Sequence, residues 1–282
     1  MNQFFIKGLS KLKLLKSLNI NSSVIINKKP FTIPLIKGNG KDNLIQAEKW
    51  MTTVLQKLLA AGNGSFIDVG VNIGQTLLKI KSIDRGIKYF GFEPNPTCVF
   101  YIDELIRINK FTDVVIYPVG ISDTTGIAEL NFYYDADTDS AASIIKDFRP
   151  WQKIYRKSFI PCFTAENFNK LIDFSIVRNI KIDVEGAELE VLYGLKECIE
   201  KSRPNIIMEI LPVYKKENSD RYKRQLKIQE FLKIHDYKLF RVRKKTSDEF
   251  SHFEPLNEIG IHSDMDLTNY IFLPKENSFL NN

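Results

Sequence analysis

Short apolar runs alternate with amphipathic segments from residue 65 onward. The runs predict strands at residues 65–69, 88–92, 114–118, 179–183 and 205–209. The amphipathic segments predict helices at 72–83, around 98–106, at 187–200 and around 220–235. Because parallel strands need a crossover connection, this alternation predicts βαβ units and a mostly parallel sheet.

Two further regions interrupt or end this pattern. The late strands predicted at 238–242 and 270–273 have no helical pattern between them, so we expect them to pair as an antiparallel hairpin at one sheet edge. Residues 126–134 alternate like an exposed strand, and a polar stretch and a lid-like mixture follow up to residue 165. Long loops at the carboxyl ends of strands are where an α/β sheet places its ligand contacts.

The sequence divides into a basic N-terminal extension, predicted at residues 1–45, and one main domain, predicted at residues 46–282. Residues 1–20 mix leucines and lysines without a single helical stripe. They fit either a weak surface helix that touches an anionic membrane or a partner, or, as we favour, an extension packed on the body. Prolines and glycines at 21–45 indicate strand fragments and loops. Trp50, Val54 and Leu58 then follow with helical spacing, as expected of a core helix.

The net charge of +6 is concentrated at the N-terminus. Residues 1–41 hold eight lysines and no acid, so the remaining chain carries 32 basic and 34 acidic residues. A basic tail on a near-neutral body is not the basic face that phosphate binding needs, which disfavours nucleic acid as the main partner.

The composition excludes several classes of protein. No run approaches the ~18 apolar residues of a membrane span, and lysines interrupt any secretory signal near the N-terminus. Cys98, Cys162 and Cys198 have no metal-ligand spacing and cannot all pair with one another. A reducing, cytoplasmic compartment is therefore the simplest expectation, while the oligomeric state is left open.

The strongest local motif is the segment 66–74, which reads FIDVGVNIG. A buried strand ends in Asp68, and a turn with Gly70, Asn72 and Gly74 opens the next helix. Glycines let the backbone bend and approach a ligand closely, and a helix start offers unpaired N–H groups. Such a turn also occurs as a plain strand-to-helix connection.

The second motif is Glu93-Pro94 at the end of the next strand, 19 residues after Gly74. A carboxylate at this strand tip is placed to accept hydrogen bonds from a ribose diol. Together the two motifs indicate a ligand that contains a nucleoside, either NAD or S-adenosylmethionine. Asn72 replaces the middle glycine of the NAD fingerprint and no third glycine follows, which disfavours a pyrophosphate.

The third motif is the segment 181–192, KIDVEGAELEVL. Its strand also ends in an acid, and Gly186 makes the turn into a helix. Asp183 and Glu185 lie beside the topological switch of the sheet, where substrate and cofactor should meet. Glu188 and Glu190 are better explained as acids of the first helical turn, favoured by the helix dipole.

With these motifs, residues 66–209 resemble the FkbM-type S-adenosylmethionine-dependent methyltransferases. The most specific piece is KIDVEGAE at 181–188, supported by DVGVNIGQ at 68–75, FEPNP at 92–96 and a tail match, NYIFLP, at 269–274. The resemblance implies an α/β class I (Rossmann-like) fold whose seven-stranded sheet ends in an antiparallel pair. It also implies O-methylation, often of a sugar or another secondary-metabolite hydroxyl. One departure is Thr164-Ala165-Glu166, where the family usually has Thr-Leu-Asp.

On this basis we predict two sets of site residues. The cofactor S-adenosylmethionine is expected to contact seven residues: Asp68, Gly70, Asn72, Gly74, Glu93, Pro94 and Ser122. Asp183 and Glu185 are the first candidates for the base that takes the hydroxyl proton. His235, His252 and His262 are weaker alternatives. A metal-assisted version with Asp183, Glu185 and Glu209 as oxygen ligands is conceivable, but we predict no metal.

Three competing functions are weighed against a small-molecule or glycan methyltransferase. Base N-methylation would favour an Asn/Asp-Pro-Pro-aromatic turn where this chain has Asp-Val-Glu-Gly, and Cys162 lies too early to be a cytosine nucleophile. A non-catalytic nucleoside-binding module would lose the cofactor-contacting residues first, and these are present. A dehydrogenase is disfavoured by the turn at 70–74.

Overall fold

The computed structural model describes residues 14–277, except residues 61, 63, 216 and 218. The strands are β1 (Asn19–Ile26), β2 (Lys29–Ile36), β3 (Ser65–Val69), β4 (Tyr89–Phe92), β5 (Val114–Tyr117), β6 (Gly120–Ile121), β7 (Gly126–Phe132), β8 (Arg156–Phe163), β9 (Val177–Ile182), β10 (Asn205–Glu209), β11 (Tyr237–Lys244), β12 (Phe250–Leu256) and β13 (Asn269–Pro274). The α-helices are α1 (Lys49–Ala60), α2 (Gln75–Ile83), α3 (Pro96–Asn109), α4 (Glu188–Gly194), α5 (Lys196–Ser202) and α6 (Ser219–Ile234).

The main sheet has eight strands in the order β12-β11-β13-β10-β9-β3-β4-β5. The five strands from β10 to β5 are parallel, and β13, β11 and β12 run antiparallel to their neighbours. The predicted antiparallel pairing of the two late strands is confirmed, because β11 pairs with β13, but they do not form a hairpin, because β12 lies between them in the chain. The predicted number of seven strands is wrong, because residues 250–256 add β12 outside β11 and take the edge position.

Two apolar layers cover the faces of this sheet. On one face, α1, α2 and α3 pack with Trp50, Val54 and Leu58 fully buried, as their spacing predicts. On the other face, α4, α5 and α6 cover a second cluster. The predicted helix 187–200 is two helices, α4 and α5. The chain turns at Gly194, where a Cβ would lie 2.3 Å from the Ser122 carbonyl oxygen.

The N-terminal strands β1 and β2 form a hairpin that joins the first apolar layer. Asn27 and Lys28 close it with φ angles of 47° and 63°, the left-handed pair of a type I′ turn. Phe31 packs in the core, and Asn109 at the end of α3 holds both backbone groups of Thr32. The boundary between residues 45 and 46 remains a prediction.

Most of the segment 1–20, for which a surface helix was considered, lies outside the described residues, and Leu14–Ser17 is a single 3₁₀ turn. Among the helices that the structure describes, none is long and apolar enough to cross a membrane.

A small sheet, ordered β6-β8-β7, stands beside the main one. The strand predicted at 126–134 is confirmed as β7, but it is exposed only at its start, because Leu130, Asn131 and Phe132 are buried. Strand β8 falls in a stretch where we expected a loop. Pro161 and the polar start of β8 obscure its alternation, although Ile160 and Cys162 point into a small core of their own. Residues 133–155, here named the lid loop, connect β7 to β8.

Candidate active site

A pocket of about 260 Å³ opens at the carboxyl ends of the central parallel strands. Three features build it: the turn after β3, the acidic tips of β4, β9 and β10, and the lid loop above them. Its lining includes Gly70, Asn72, Gln75, Glu93, Pro94, Asn95, Gly120, Ile121, Asp139, Ser140, Asp183, Val184, Glu185 and Glu209. The sequence motifs at 66–74, 92–96 and 181–188 therefore meet in one place.

Gly70 lets the turn after β3 press against β9. Its φ is 87°, and a Cβ at this position would lie only 1.9 Å from the backbone oxygen of Asp183. A side chain is excluded on both counts, because L residues rarely adopt this φ and the space is taken by backbone. The glycine is thus required for the two strand ends to stand side by side.

Glu93 is a buried carboxylate held by backbone N–H groups. Asn72 N donates to Glu93 Oε2 at 2.7 Å, and Asn95 N donates to Glu93 Oε1 at 2.8 Å. Burial raises the pKa of Glu93 to about 7 even though these two hydrogen bonds and Lys181 lower it. Each carboxylate oxygen keeps a further lone pair with which it can accept a ligand hydroxyl.

Two asparagines connect this region to the lid loop. Asn95 Nδ2 donates to the Asp137 carbonyl oxygen at 2.8 Å, and Asn72 Nδ2 reaches the Thr138 carbonyl oxygen at 3.4 Å. The Asn95 side-chain oxygen also caps α3 by accepting from Thr97 N. Asn95 was not singled out from the sequence, although its position between two prolines before a helix is an N-cap signal.

Asp139 organises the lid loop from within. Its carboxylate accepts backbone N–H groups from Tyr133, Tyr134 and Ala141 at 2.7–3.1 Å. This brings Asp139 and Ser140 into the pocket wall. These three hydrogen bonds to one buried acid fix the first part of the lid loop against the pocket.

Glu185 is tied to the lid loop by two contacts. Arg149 Nη2 donates to Glu185 Oε2 at 2.6 Å, and Ser143 Oγ donates to the Glu185 carbonyl oxygen at 2.6 Å. Burial, with Asp183 adding to it, raises the pKa of Glu185 to about 7 against the opposing effect of Arg149. Gly186 follows with a φ of 106°, and Phe148 packs where its Cβ would be.

Asp183 and Glu209 complete the acidic side of the pocket. Lys181 Nζ lies 3.1 Å from Asp183 Oδ2, and Thr268 Oγ1 donates to Glu209 Oε1 at 2.9 Å. Burial raises the pKa of Glu209 to about 8, and the negative charges of Asp183 and Glu185 add to the effect. Although these acids share the pocket, no group of three or more His, Cys, Asp or Glu side chains in the described part of the chain is arranged to hold a metal ion.

A family model for the methyltransferase FkbM domain matches residues 68–239 of this chain. The chain belongs to the FkbM methyltransferase family. The match contains the first motif from Asp68 onward and the whole of the second and third motifs. The protein is accordingly an S-adenosylmethionine-dependent methyltransferase, and S-adenosylmethionine is its cofactor.

Solved structures provide a second comparison. The methyltransferase FkbM from Methylobacillus flagellatus aligns with 17% identity and a TM-score of 0.46, over 74% of this chain but only 43% of that protein. Fibrillarin from Aeropyrum pernix, solved with S-adenosylmethionine, aligns with 12% identity and a TM-score of 0.45, over 89% and 81% of the two chains. A Thermotoga maritima O-methyltransferase aligns with 11% identity and a TM-score of 0.38, over 79% and 63%. No curated protein sequence matches significantly.

The lining of the methyltransferase pocket fits the cofactor. Glu93 presents a carboxylate at the tip of β4, the chemistry that a ribose diol needs. Ile121, Leu130 and Ile160 also line the pocket and offer apolar surface of the kind that a purine ring packs against. The pocket thus joins a polar strand tip to apolar surface, as a nucleoside requires.

The structure places the predicted cofactor residues at different depths. Gly70, Asn72, Glu93 and Pro94 line the pocket, whereas Asp68, Gly74 and Ser122 are not part of the lining. Asp68 is fully buried below it, where Tyr89 Oη donates to its Oδ2 at 2.5 Å. Gly74 is the N-cap of α2 with a φ of 80°, and a Cβ there would lie 2.9 Å from Leu105 Cδ2, so the turn requires a glycine. Contact of all seven residues with cofactor remains a prediction.

Two of the three histidines considered as alternative bases, His235 and His262, make contacts within the fold. His235 stacks 4.2 Å from the ring of Phe231 on the far helical layer, and His262 contacts the Tyr270 hydroxyl.

The three cysteines are buried and unbridged, and burial raises the pKa of each thiol, to about 12 for Cys198. These thiols therefore stay protonated and unreactive at neutral pH.

Proposed function

We propose that this methyltransferase transfers the methyl group of S-adenosylmethionine to a hydroxyl group of a sugar, glycan or secondary-metabolite acceptor. The observation that carries the proposal is the acidic side of the pocket, formed by Asp183, Glu185 and Glu209 beside the cofactor residues. Carboxylates accept hydrogen bonds from hydroxyl groups, and a polyhydroxylated acceptor offers many.

The charged residues of the whole pocket argue against a polyanionic acceptor. None of the described residues that line the pocket is a lysine or an arginine, whereas five are acids: Glu93, Asp139, Asp183, Glu185 and Glu209. Nucleic acids are held chiefly by cations that contact their phosphates. The pocket charge therefore favours a neutral acceptor over DNA or RNA.

Asp183 is our candidate for the residue that binds the reacting hydroxyl and accepts its proton. When bound, the cofactor would supply an electrophilic methyl group, and S-adenosylhomocysteine would be the leaving group that keeps the electron pair of the broken S–C bond. Asp183 is one-third exposed, so an acceptor can reach it. As the new O–C bond forms, the hydroxyl proton passes to the Asp183 carboxylate or, through it, to solvent.

Glu185 has a different role in this proposal. Its carboxylate is already engaged by Arg149, and its backbone oxygen is engaged by Ser143. We therefore assign Glu185 to holding the lid loop over the bound acceptor, where orientation of the hydroxyl contributes much of the rate.

A methyl-transfer screen tests the proposal. The purified protein and S-adenosylmethionine are incubated with monosaccharides, sugar nucleotides, glycan intermediates, DNA and RNA, and products are identified by mass spectrometry. We expect methylation of a hydroxyl in the carbohydrate or small-metabolite group, and loss of this product in Asp183→Asn. Methylation of nucleic acid alone would contradict the proposal.

A further inference from the structure

A buried lysine separates two aspartates beneath the pocket. Lys181 Nζ lies 3.1 Å from Asp183 Oδ2 and 3.6 Å from Asp68 Oδ1. The side chain of Lys181 is 6% exposed and that of Asp68 is 0% exposed, whereas Asp183 is 33% exposed. Only the Asp183 end of this series of charges therefore reaches the pocket.

Strand register creates this arrangement. Asp68 on β3 and Lys181 on β9 are direct partners in the parallel pair, so their side chains share one face of the sheet. Side chains alternate along a strand, and Asp183, two residues after Lys181, continues on the same face. Tyr89 on β4 fixes the inner end through its hydrogen bond to Asp68.

The lysine stays charged in this position. Burial alone would lower the pKa of Lys181, but Asp183, Asp68 and Glu48 together raise it above its ordinary value. An ammonium here has two acceptors within ion-pair distance and almost no contact with water. Its position is accordingly fixed from both sides.

We propose that Lys181 is a positioning residue for methyl transfer. It holds the Asp183 carboxylate in one orientation and partly neutralises the negative charge that this carboxylate presents to the sulfonium of the cofactor. The inference rests on the proposed role of Asp183. An unshielded carboxylate would attract the sulfonium most strongly before reaction, when its positive charge is whole. Such ground-state binding does not speed the transfer, so a balanced carboxylate is the better arrangement.

The affinities of two ligands measure this balance without any acceptor. S-adenosylmethionine carries the sulfonium charge, whereas S-adenosylhomocysteine has a neutral sulfur, so the ratio of their dissociation constants reports the charge beside the sulfur. We expect Lys181→Met to shift this ratio about five- to fiftyfold in favour of S-adenosylmethionine, as Coulomb attraction across a partly buried site predicts. Lys181→Arg, which keeps the charge, should stay within about threefold of wild type.

A paired set of variants covers the case in which Lys181→Met does not fold. The double variant Asp68→Asn with Lys181→Met removes both buried charges and is compared with Asp68→Asn alone. The same shift of the ratio is expected between these two proteins. An unchanged ratio, with both affinities reduced together, would show that Lys181 only fills space and would overturn the proposal.

Asp183→Asn separates this inference from the proposed function. It should shift the ratio in the opposite direction, toward S-adenosylhomocysteine. If Asp183→Asn shifts the ratio and removal of Lys181 does not, the positioning role fails while Asp183 keeps its place beside the sulfur. If Asp183→Asn leaves the ratio unchanged, Asp183 is not beside the sulfur, and both the inference and its assignment as proton acceptor are wrong.

Discussion

The two sides of the pocket hold their acids by different means. On the side where we propose that the cofactor binds, here called the cofactor side, Glu93 is fixed by the backbone N–H groups of Asn72 and Asn95, which belong to the motifs that begin and end its own βαβ unit. On the side where we propose that the acceptor binds, here called the acceptor side, Glu185 and Glu209 are fixed by side chains from distant segments, Arg149 and Thr268.

The two sides therefore differ in how easily substitutions can change the groups that fix their acids. Backbone N–H groups persist whatever side chains surround them, so the cofactor side depends mainly on the path of the chain. Side-chain partners can be exchanged by substitution, and the lid loop and the C-terminal segment supply them here. We therefore expect variants on the cofactor side to change cofactor affinity, and variants on the acceptor side to change turnover or acceptor binding.

The largest expected effect is in Asp183→Asn. The amide keeps the size of the side chain and removes its basicity, so turnover should fall about 10²–10⁴-fold, the usual contribution of a general base. Affinity for S-adenosylhomocysteine should stay near normal. Asp220→Asn, at an exposed surface position, is the matched control. Full activity of Asp183→Asn would direct attention to Glu185 and the lid loop.

Glu93→Ala should act on the other side of the pocket. Loss of the acceptor for two ribose hydroxyls costs roughly 1.5–3 kcal/mol, which lowers cofactor affinity about tenfold to a hundredfold by calorimetry. The melting temperature should also fall, because the variant leaves the N–H groups of Asn72 and Asn95 unpaired. Glu104→Ala, at the surface of α3, is the control. Unchanged affinity in a folded variant would remove Glu93 from the cofactor site.

The raised pKa of Glu209, about 8, predicts a dependence of stability on pH. Between its unfolded value near 4.5 and this folded value, the native state binds more protons than the unfolded state, so stability falls as pH rises through that window. Glu209→Gln should reduce this fall by about 1–3 kcal/mol in denaturant titrations at pH 5 and pH 9. A parallel pH dependence in wild type and variant would show that Glu209 is not responsible.

The smallest effect is expected in Arg149→Met. The variant frees the lid loop from Glu185, so KM for the acceptor should rise about three- to tenfold, equivalent to roughly 0.7–1.4 kcal/mol. Cofactor affinity should change less than twofold, since Glu93 and its partners are untouched. Arg149→Lys should give an intermediate KM. A large loss of cofactor affinity in Arg149→Met would mean that the two sides are coupled.

Sequence patterns predicted the parallel strands and the meeting of Gly70 and Glu93 in one pocket, because both depend on local features. The turn at Gly70 and the acid at Glu93 follow from φ requirements and strand ends that a short segment contains. The predicted strand 65–69 matches β3, and 205–209 matches β10, since buried central strands are nearly continuous apolar runs.

The acceptor side was less predictable because its partners are far apart in the chain. Arg149 and Glu185 are 36 residues apart, and Thr268 and Glu209 are 59 apart. Lys181 lies inside a recognised motif, but its burial between Asp68 and Asp183 depends on the register of two strands. Neither β8 nor the edge strand β12 has a clear alternation, so their pairing emerges only from tertiary packing.

The ladder between β7 and β8 has a consequence for the entropy of the lid loop. Phe132 and Arg156 are direct partners in this ladder, so the loop leaves and re-enters the sheet at adjacent residues. The ladder holds the two ends of the loop together, and the cost of closing such a loop rises only slowly with its length. A change of length in the loop after Thr138, beyond its contacts with Asn72 and Asn95, should therefore cost little entropy while it reshapes the wall of the pocket.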